Sequence, residues 1–150
     1  MRKLLILTLS TVLAATATTA TGAQAKGLKW MAGPPGLPAG STFAVVSGDP
    51  SKAGMFTIQA RLPANYTVPP HKHPTDEKVG VVSGGPFTYG MGDKIDRSAA
   101  ASIEKGYHVT MTADMNHWGS TGDAPTTIKI TAMGPFAITY ANPKDDPRNK

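Results

Sequence analysis

Glycine and proline punctuate this chain so densely that long helices are excluded. There are 16 glycines and 13 prolines in 150 residues. Proline removes a backbone donor and breaks helix interiors, while glycine favours turns and weakens regular elements. The turn signals Pro34-Pro35-Gly36, Gly48-Asp49-Pro50 and Gly84-Gly85-Pro86 leave room only for short segments between them. Many short strands joined by tight turns fit that spacing, and the pattern predicts an all-β sandwich or barrel. The length suits one domain.

Residues 55–62 set Phe56, Ile58 and Ala60 against Thr57, Gln59 and Arg61, a half-buried strand at period two. Further strands are expected over 42–46, 78–83, 87–91, 107–111, 117–121, 126–132 and 136–140. Residues 96–105 have room for one helical turn and are read as a loop. The polar tail 142–150 holds two prolines and is expected to fray.

The first 25 residues follow another logic. Met1-Arg2-Lys3 is basic, an apolar run follows, and Ala23-Gln24-Ala25 forms an A-x-A cleavage site. The apolar run is about a dozen residues, short of the roughly 20 that span a bilayer. A signal peptide over 1–25, cleaved after Ala25, is expected, leaving a mature domain over 26–150 in the periplasm or outside the cell. With no cysteine in the chain there is no lipoprotein anchor, so no stable membrane attachment is expected after cleavage.

Loss of Arg2 and Lys3 takes 15 basic residues to 13 against 10 acidic, and the formal charge from +5 to +3. The remaining basic residues are scattered, which argues against a nucleic-acid surface. Export permits disulfides, yet none can form here. The domain must rely on core packing, helped by a metal or a partner chain.

One segment carries chemistry. His71 and His73 stand two apart in an extended stretch bracketed by Pro69, Pro70 and Pro74, so both imidazoles project to one face. Glu77 follows within folding-back distance, and Asp76 beside it is the alternative oxygen donor. Two imidazoles and a carboxylate make a half-shell for a divalent transition metal. His108 alternates with Tyr107, Val109 and Met111 and is expected to point away from the core with Thr110. Met115 shares parity with His117 and could line the same space. Trp118, Tyr66, Phe87 and Tyr89 are candidate walls or simple core.

From His71 to Gly84 the chain reads H-x-H-x3-E-x6-G. This resembles the first motif of the cupin superfamily, with Asn65 in place of its leading glycine. Asn tolerates a left-handed backbone, so that exchange is mild. The family's second motif falls on Gly106, Thr112, Asp114, His117 and Thr121. Only the glycine and the histidine are kept, with Thr112, Asp114 and Thr121 replacing Pro, Gly and Asn. Twenty-one residues separate Gly84 from Gly106, a normal distance between the two motifs. The resemblance covers about 55–132. The stretches Ser47-Gly48-Asp49-Pro50 and Gly134-Pro135-Phe136-Ala137-Ile138-Thr139-Tyr140 look like those of small exported bacterial cupins.

The resemblance implies a single-domain jelly-roll β-barrel with one divalent metal (Mn, Fe, Zn, Ni or Cu) on His71, His73, Glu77 and His117. About two coordination positions would stay open on a six-coordinate ion. That suits a metal-dependent, dioxygenase-like oxidoreductase acting on a small molecule. The alternatives are a non-catalytic periplasmic metal- or ligand-binding protein and a metal kept for stability alone. Pairing through an edge strand would make a homodimer.

Overall fold

The computed structural model describes residues 27–150; the expected signal peptide lies outside them. Among the described residues, eleven strands form two antiparallel sheets. The first sheet contains β1 (Met31–Ala32), β2 (Thr42–Ser47), β3 (Gly54–Leu62), β5 (Glu77–Gly84), β8 (His108–Met111) and β10 (Thr126–Gly134), in the order β1-β2-β3-β10-β5-β8. The second contains β4 (Thr67–Lys72), β6 (Phe87–Met91), β7 (Ala101–Ile103), β9 (His117–Thr121) and β11 (Thr139–Tyr140), in the order β11-β4-β9-β6-β7. The chain repeatedly leaves one sheet for the other, the jelly-roll manner of winding. The sheets face each other without closing, so the expected barrel is an open two-sheet fold.

The period-two pattern of β3 is realised as read. Phe56, Ala60 and Leu62 are buried between the sheets, joined there by Val79 and Val81 of β5 and Ile128 and Ile130 of β10. Burying each of these side chains except Ala60 contributes roughly 1.5–3 kcal/mol. β9 is buried along its whole length, because its alternate residues meet cover on both faces. Trp118 lies flat over Gly90, its cross-strand partner, where a Cβ would strike the indole. Arg97 covers the same ring from outside, its guanidinium carbon 5.6 Å from the ring centroid.

Proline shapes β4. Pro69 and Pro70 cannot donate to the ladder, and the register against β9 shifts between Val68 and His71. Val68 faces Gly119, yet His71 faces His117, so three steps along β4 match two along β9. This bulge puts His71 beside the second histidine rather than Pro70.

Four segments differ from the sequence expectation. Residues 96–105 hold both a 3₁₀ turn (Arg97–Ala99), capped by the Asp96 side chain, and the strand β7. Only Thr139–Tyr140 of 136–140 is a strand; Phe136 is recruited instead by its N–H bond to Pro50 O at 2.7 Å. The tail forms two 3₁₀ turns, Pro143–Asp145 and Pro147–Asn149, capped by Asn142 and Asp146. It is further held by Arg148, which donates to Ile138 O. Tyr107 lies before β8 and is exposed, while Met111 alone of its expected face is fully buried.

Candidate metal centre

The four predicted ligands come from three strands and one connection. His71 lies in β4 and His73 directly after it; Glu77 opens β5 on the opposite sheet and His117 opens β9. The link from His73 to Glu77 crosses between the sheets, which lets adjacent residues approach one point from two sides. All four side chains are buried. One ring nitrogen from each of His71, His73 and His117 lies within 4.8 Å of the others. The Oε2 of Glu77 lies 3.3 Å from His117 Nε2 and 3.6 Å from His73 Nε2.

Backbone carbonyls fix the proton on each ring. The Nδ1–H of His71 donates to Pro69 O at 2.7 Å, that of His73 to Ala137 O at 2.7 Å, and that of His117 to Met115 O at 3.0 Å. A carbonyl can only accept, so each Nδ1 carries hydrogen and each Nε2 presents a lone pair. His117 Nε2 is fully buried and finds no hydrogen-bond partner. Three lone pairs and a carboxylate thus face one another with no proton donor among them. Such a cluster is satisfied by a cation, and carbonyl-anchored imidazoles are the usual support of metal-bound histidine. The residues present therefore fit a divalent metal.

Electrostatics agree with neutral rings at His71 and His73. Burial, aided by repulsion from His117 and His73, pushes the His71 imidazole down to about 3. Burial likewise lowers His73 against the pull of Glu77. Burial alone would raise Glu77; the His117 contact and the pull of the imidazoles, which act whenever those rings carry a proton, outweigh it and hold the carboxyl below the usual range. Neutral imidazole and ionised carboxylate are the forms that bind metals.

The supporting residues were not evident from the sequence. Phe136 stacks on His73 with centroids 4.3 Å apart and is itself met edge-on by Phe56 at 5.1 Å. Tyr140 lies 5.9 Å from the His71 ring and donates its hydroxyl to Gly36 O at 2.8 Å. Two signals touched them: the aromatic spacing of residues 136–140, which reads equally as a strand, and the likeness of 134–140 to small exported cupins, which assigns them no role.

The remaining candidates are placed elsewhere. Asp76 is exposed and accepts the Ala113 N–H at 2.8 Å, latching the turn beside the site rather than entering it. His108 is exposed on the edge strand β8, opposite Gly80. Met115 is half exposed and contributes its carbonyl, not its side chain. Phe87, Trp118 and Met111 line the cavity beside the histidines; Tyr66 and Tyr89 do not.

The backbone records both motifs. Asn65 and Asp114, standing where the motif has glycine, have φ of 56° and 59°, and Gly84 and Gly106 have 91° and 90°. All four positions are left-handed, whether or not glycine occupies them. Thr121, at the motif's final Asn, accepts the Tyr66 N–H at 2.9 Å and donates to Pro63 O at 2.6 Å. It thereby ties the second motif to the turn that starts the first.

No protein-family model matches the chain, and no curated protein matches it in sequence. Solved structures do match. The polyketide cyclase RemF from Streptomyces resistomycificus is 15% identical, with 73% of this chain and 76% of that one covered and a TM-score of 0.59. The DMSP lyase DddQ from Ruegeria pomeroyi is 18% identical, covering 75% and 60% of the two chains, also with a TM-score of 0.59. An oxalate oxidase in complex with glycolate is 17% identical, covering 73% and 59%, with a TM-score of 0.53. These are cupin-fold proteins, and the two facing antiparallel sheets around a buried histidine group give this chain the cupin fold.

Proposed function

We propose that the protein is an exported metal-binding cupin in which His71, His73, Glu77 and His117 hold one divalent transition metal. The adjoining cavity presents a small organic molecule to that metal for oxidation chemistry of the dioxygenase type. The reading rests on the acceptor-only cluster, above all on the buried, partnerless Nε2 of His117 facing a carboxylate. Structural neighbours that act on small molecules, an oxalate oxidase and a DMSP lyase, support it.

A bound metal of this class supplies Lewis acidity and, as iron or manganese, one-electron chemistry. The chain's own part is orientation and environment. The carbonyls of Pro69, Ala137 and Met115 hold each imidazole in the tautomer that offers Nε2. Glu77 offsets positive charge in a buried site. The apolar walls around the cluster keep water from competing for open positions.

A second reading has its own observation. Beyond the four ligands, no carboxylate, imidazole, lysine or tyrosine lines the cavity among the described residues. That disfavours hydrolysis and isomerisation, which need a separate acid or base. A protein that holds a metal or ligand without turning it over needs none.

Metal analysis of the full chain purified from the export compartment tests the site. About one ion per chain is expected, lost in His71→Ala and His117→Ala. Unchanged metal in both variants would overturn the assignment. Oxygen uptake by the iron or manganese form with diols, thiols and keto acids separates the two readings: none, together with tight ligand binding, favours the non-catalytic one. A mature mass starting at Lys26 is expected if Ala25 is the cleavage point; an uncleaved chain would remove export from the proposal.

A further inference from the structure

The cavity between the sheets has a volume of about 530 Å³, within the range of small-molecule sites. Its polarity is arranged by rung. On the first sheet the outermost rung joins Glu77, Ala132 and Phe56 across β5, β10 and β3. The next inward rung is Val79, Ile130 and Ile58, followed by Val81, Ile128 and Ala60. On the second sheet the His71–His117 rung gives way to Val68 and Gly119. A Cβ on Gly119 would collide with the Phe87 ring, which floors this part of the cavity. Polar side chains therefore stop after one rung, and the residues of the rungs behind it are apolar.

The open side gives the same result. Pro34, Leu37, Phe136 and Ile138 line it, next to the edge strands β1 and β11, together with Ser51 and Arg148. Arg148 is already committed. Its Nε and Nη2 donate to Asp146 at 2.8 and 2.7 Å, and Nη2 also donates to Ile138 O at 3.1 Å. Its charge is shared with Asp146, and its side chain is partly exposed, so it marks the open side rather than the rungs behind the polar one. A charged group placed beyond the first rung would be buried without a partner, which is strongly unfavourable.

We infer that the molecule this cavity takes has a single metal-chelating end and an otherwise apolar, uncharged body. Longer dicarboxylates and sugar acids, which carry a charge or polar groups well beyond the chelating end, are excluded. The inference rests on the metal reading proposed above, since the chelating end is assigned to the ion. The apolar rungs themselves do not depend on it.

A homologous series keeps the head constant and varies only the body. Straight-chain alkanohydroxamates of two to eight carbons would be titrated calorimetrically into the zinc-loaded full chain, with adipate and suberate, which place a second charge beyond the first rung, for comparison. Affinity is expected to rise about three- to fourfold per methylene until the cavity is full. Octanohydroxamate should outbind both dicarboxylates by at least about a hundredfold. Affinity that is flat with chain length, or a dicarboxylate that binds more tightly than octanohydroxamate, would overturn the inference. The same length series as n-alkanols, titrated into metal-free protein and into His117→Ala, keeps the two ideas separable. If the metal analysis fails but alkanol affinity still climbs with length, the metal reading falls and the apolar body stands. If alkanol affinity is also flat, the apolar body falls as well.

Discussion

His71 and His117 are direct cross-strand partners on the β4–β9 ladder, with ring centroids 4.5 Å apart. Unbroken pairing from Val68 and Gly119 would have set Pro70 opposite His117 and turned His71 to the other face. The extra residue held at Pro69-Pro70 prevents this. Rings proposed to serve one ion should lose it together rather than additively. An ion present at a hundredfold over its Kd stabilises the native state by about 2.7 kcal/mol, a rise of several degrees in Tm. Either His71→Ala or His117→Ala should abolish the metal-dependent rise, and the double variant should lose no more of it. Thermal melts with and without zinc, after chelation, measure this. Additive, partial losses would mean that the residues do not hold the same ion.

The metal-free protein should weaken in mild acid. Burial and its imidazole neighbours push His71 down to about 3, whereas the unfolded chain takes up that proton near the ordinary value of about 6.5. Between these values the unfolded state binds more protons, so stability falls as pH drops. His73 is lowered by burial in the same direction. Glu77 has a depressed folded value, so its contribution is present above the ordinary carboxylate range and is lost only at the acid end. Denaturant titrations of metal-free protein between pH 7 and 4 should show a slope of up to about 1.4 kcal/mol per pH unit for each imidazole. His71→Leu should reduce the slope; an unchanged slope would assign the acid sensitivity elsewhere.

Phe136 positions His73 and offers no ligand atom of its own. It stacks on the ring whose Nδ1–H is held by the next residue's carbonyl. Phe136→Ala should weaken metal binding about 10- to 100-fold, the usual effect of losing an outer support. Phe136→Tyr or Phe136→Leu should recover most of it by refilling the space against Phe56. A competition titration with a chromogenic chelator reads the affinity directly. Equal affinity in wild type and Phe136→Ala would reduce Phe136 to simple cover.

That these residues would come together was legible in the sequence because much of the signal is local: His71, His73 and Glu77 lie within seven residues, and extended backbone fixes where two of them point. Glu77 was separable from Asp76 only by motif spacing, and the structure gives the reason, since Asp76 is used on Ala113 N–H. What escaped depends on distant pairing. Ala137 supports His73 across 64 residues, and Tyr140 reaches Gly36 across 104. Barrel closure failed for a similar cause: strand periodicity predicts faces, but which edges meet is decided by tertiary pairing. The tail was expected to fray on composition, and its caps and the Asp146–Arg148 pair hold it instead.

The left-handed positions give the last prediction, because they separate the identity of a motif residue from its conformation. Asn65 is exposed at φ 56°, so Asn65→Gly should change stability by no more than about 0.5 kcal/mol: relief of side-chain strain is offset by the extra freedom of the unfolded chain. Asn65→Val introduces a β-branched residue into the same conformation and should cost about 1–2 kcal/mol. Gly84 is different. Its φ is 91°, and a Cβ there would collide with the carbonyl of Pro125 on the neighbouring turn. Gly84→Ala should therefore cost about 2–4 kcal/mol, combining backbone strain with overpacking. Denaturant midpoints of the three variants at constant m-value test the ranking. If Asn65→Gly proved as damaging as Gly84→Ala, the Asn65 side chain itself, rather than its left-handed backbone, would be what the first motif requires at that position.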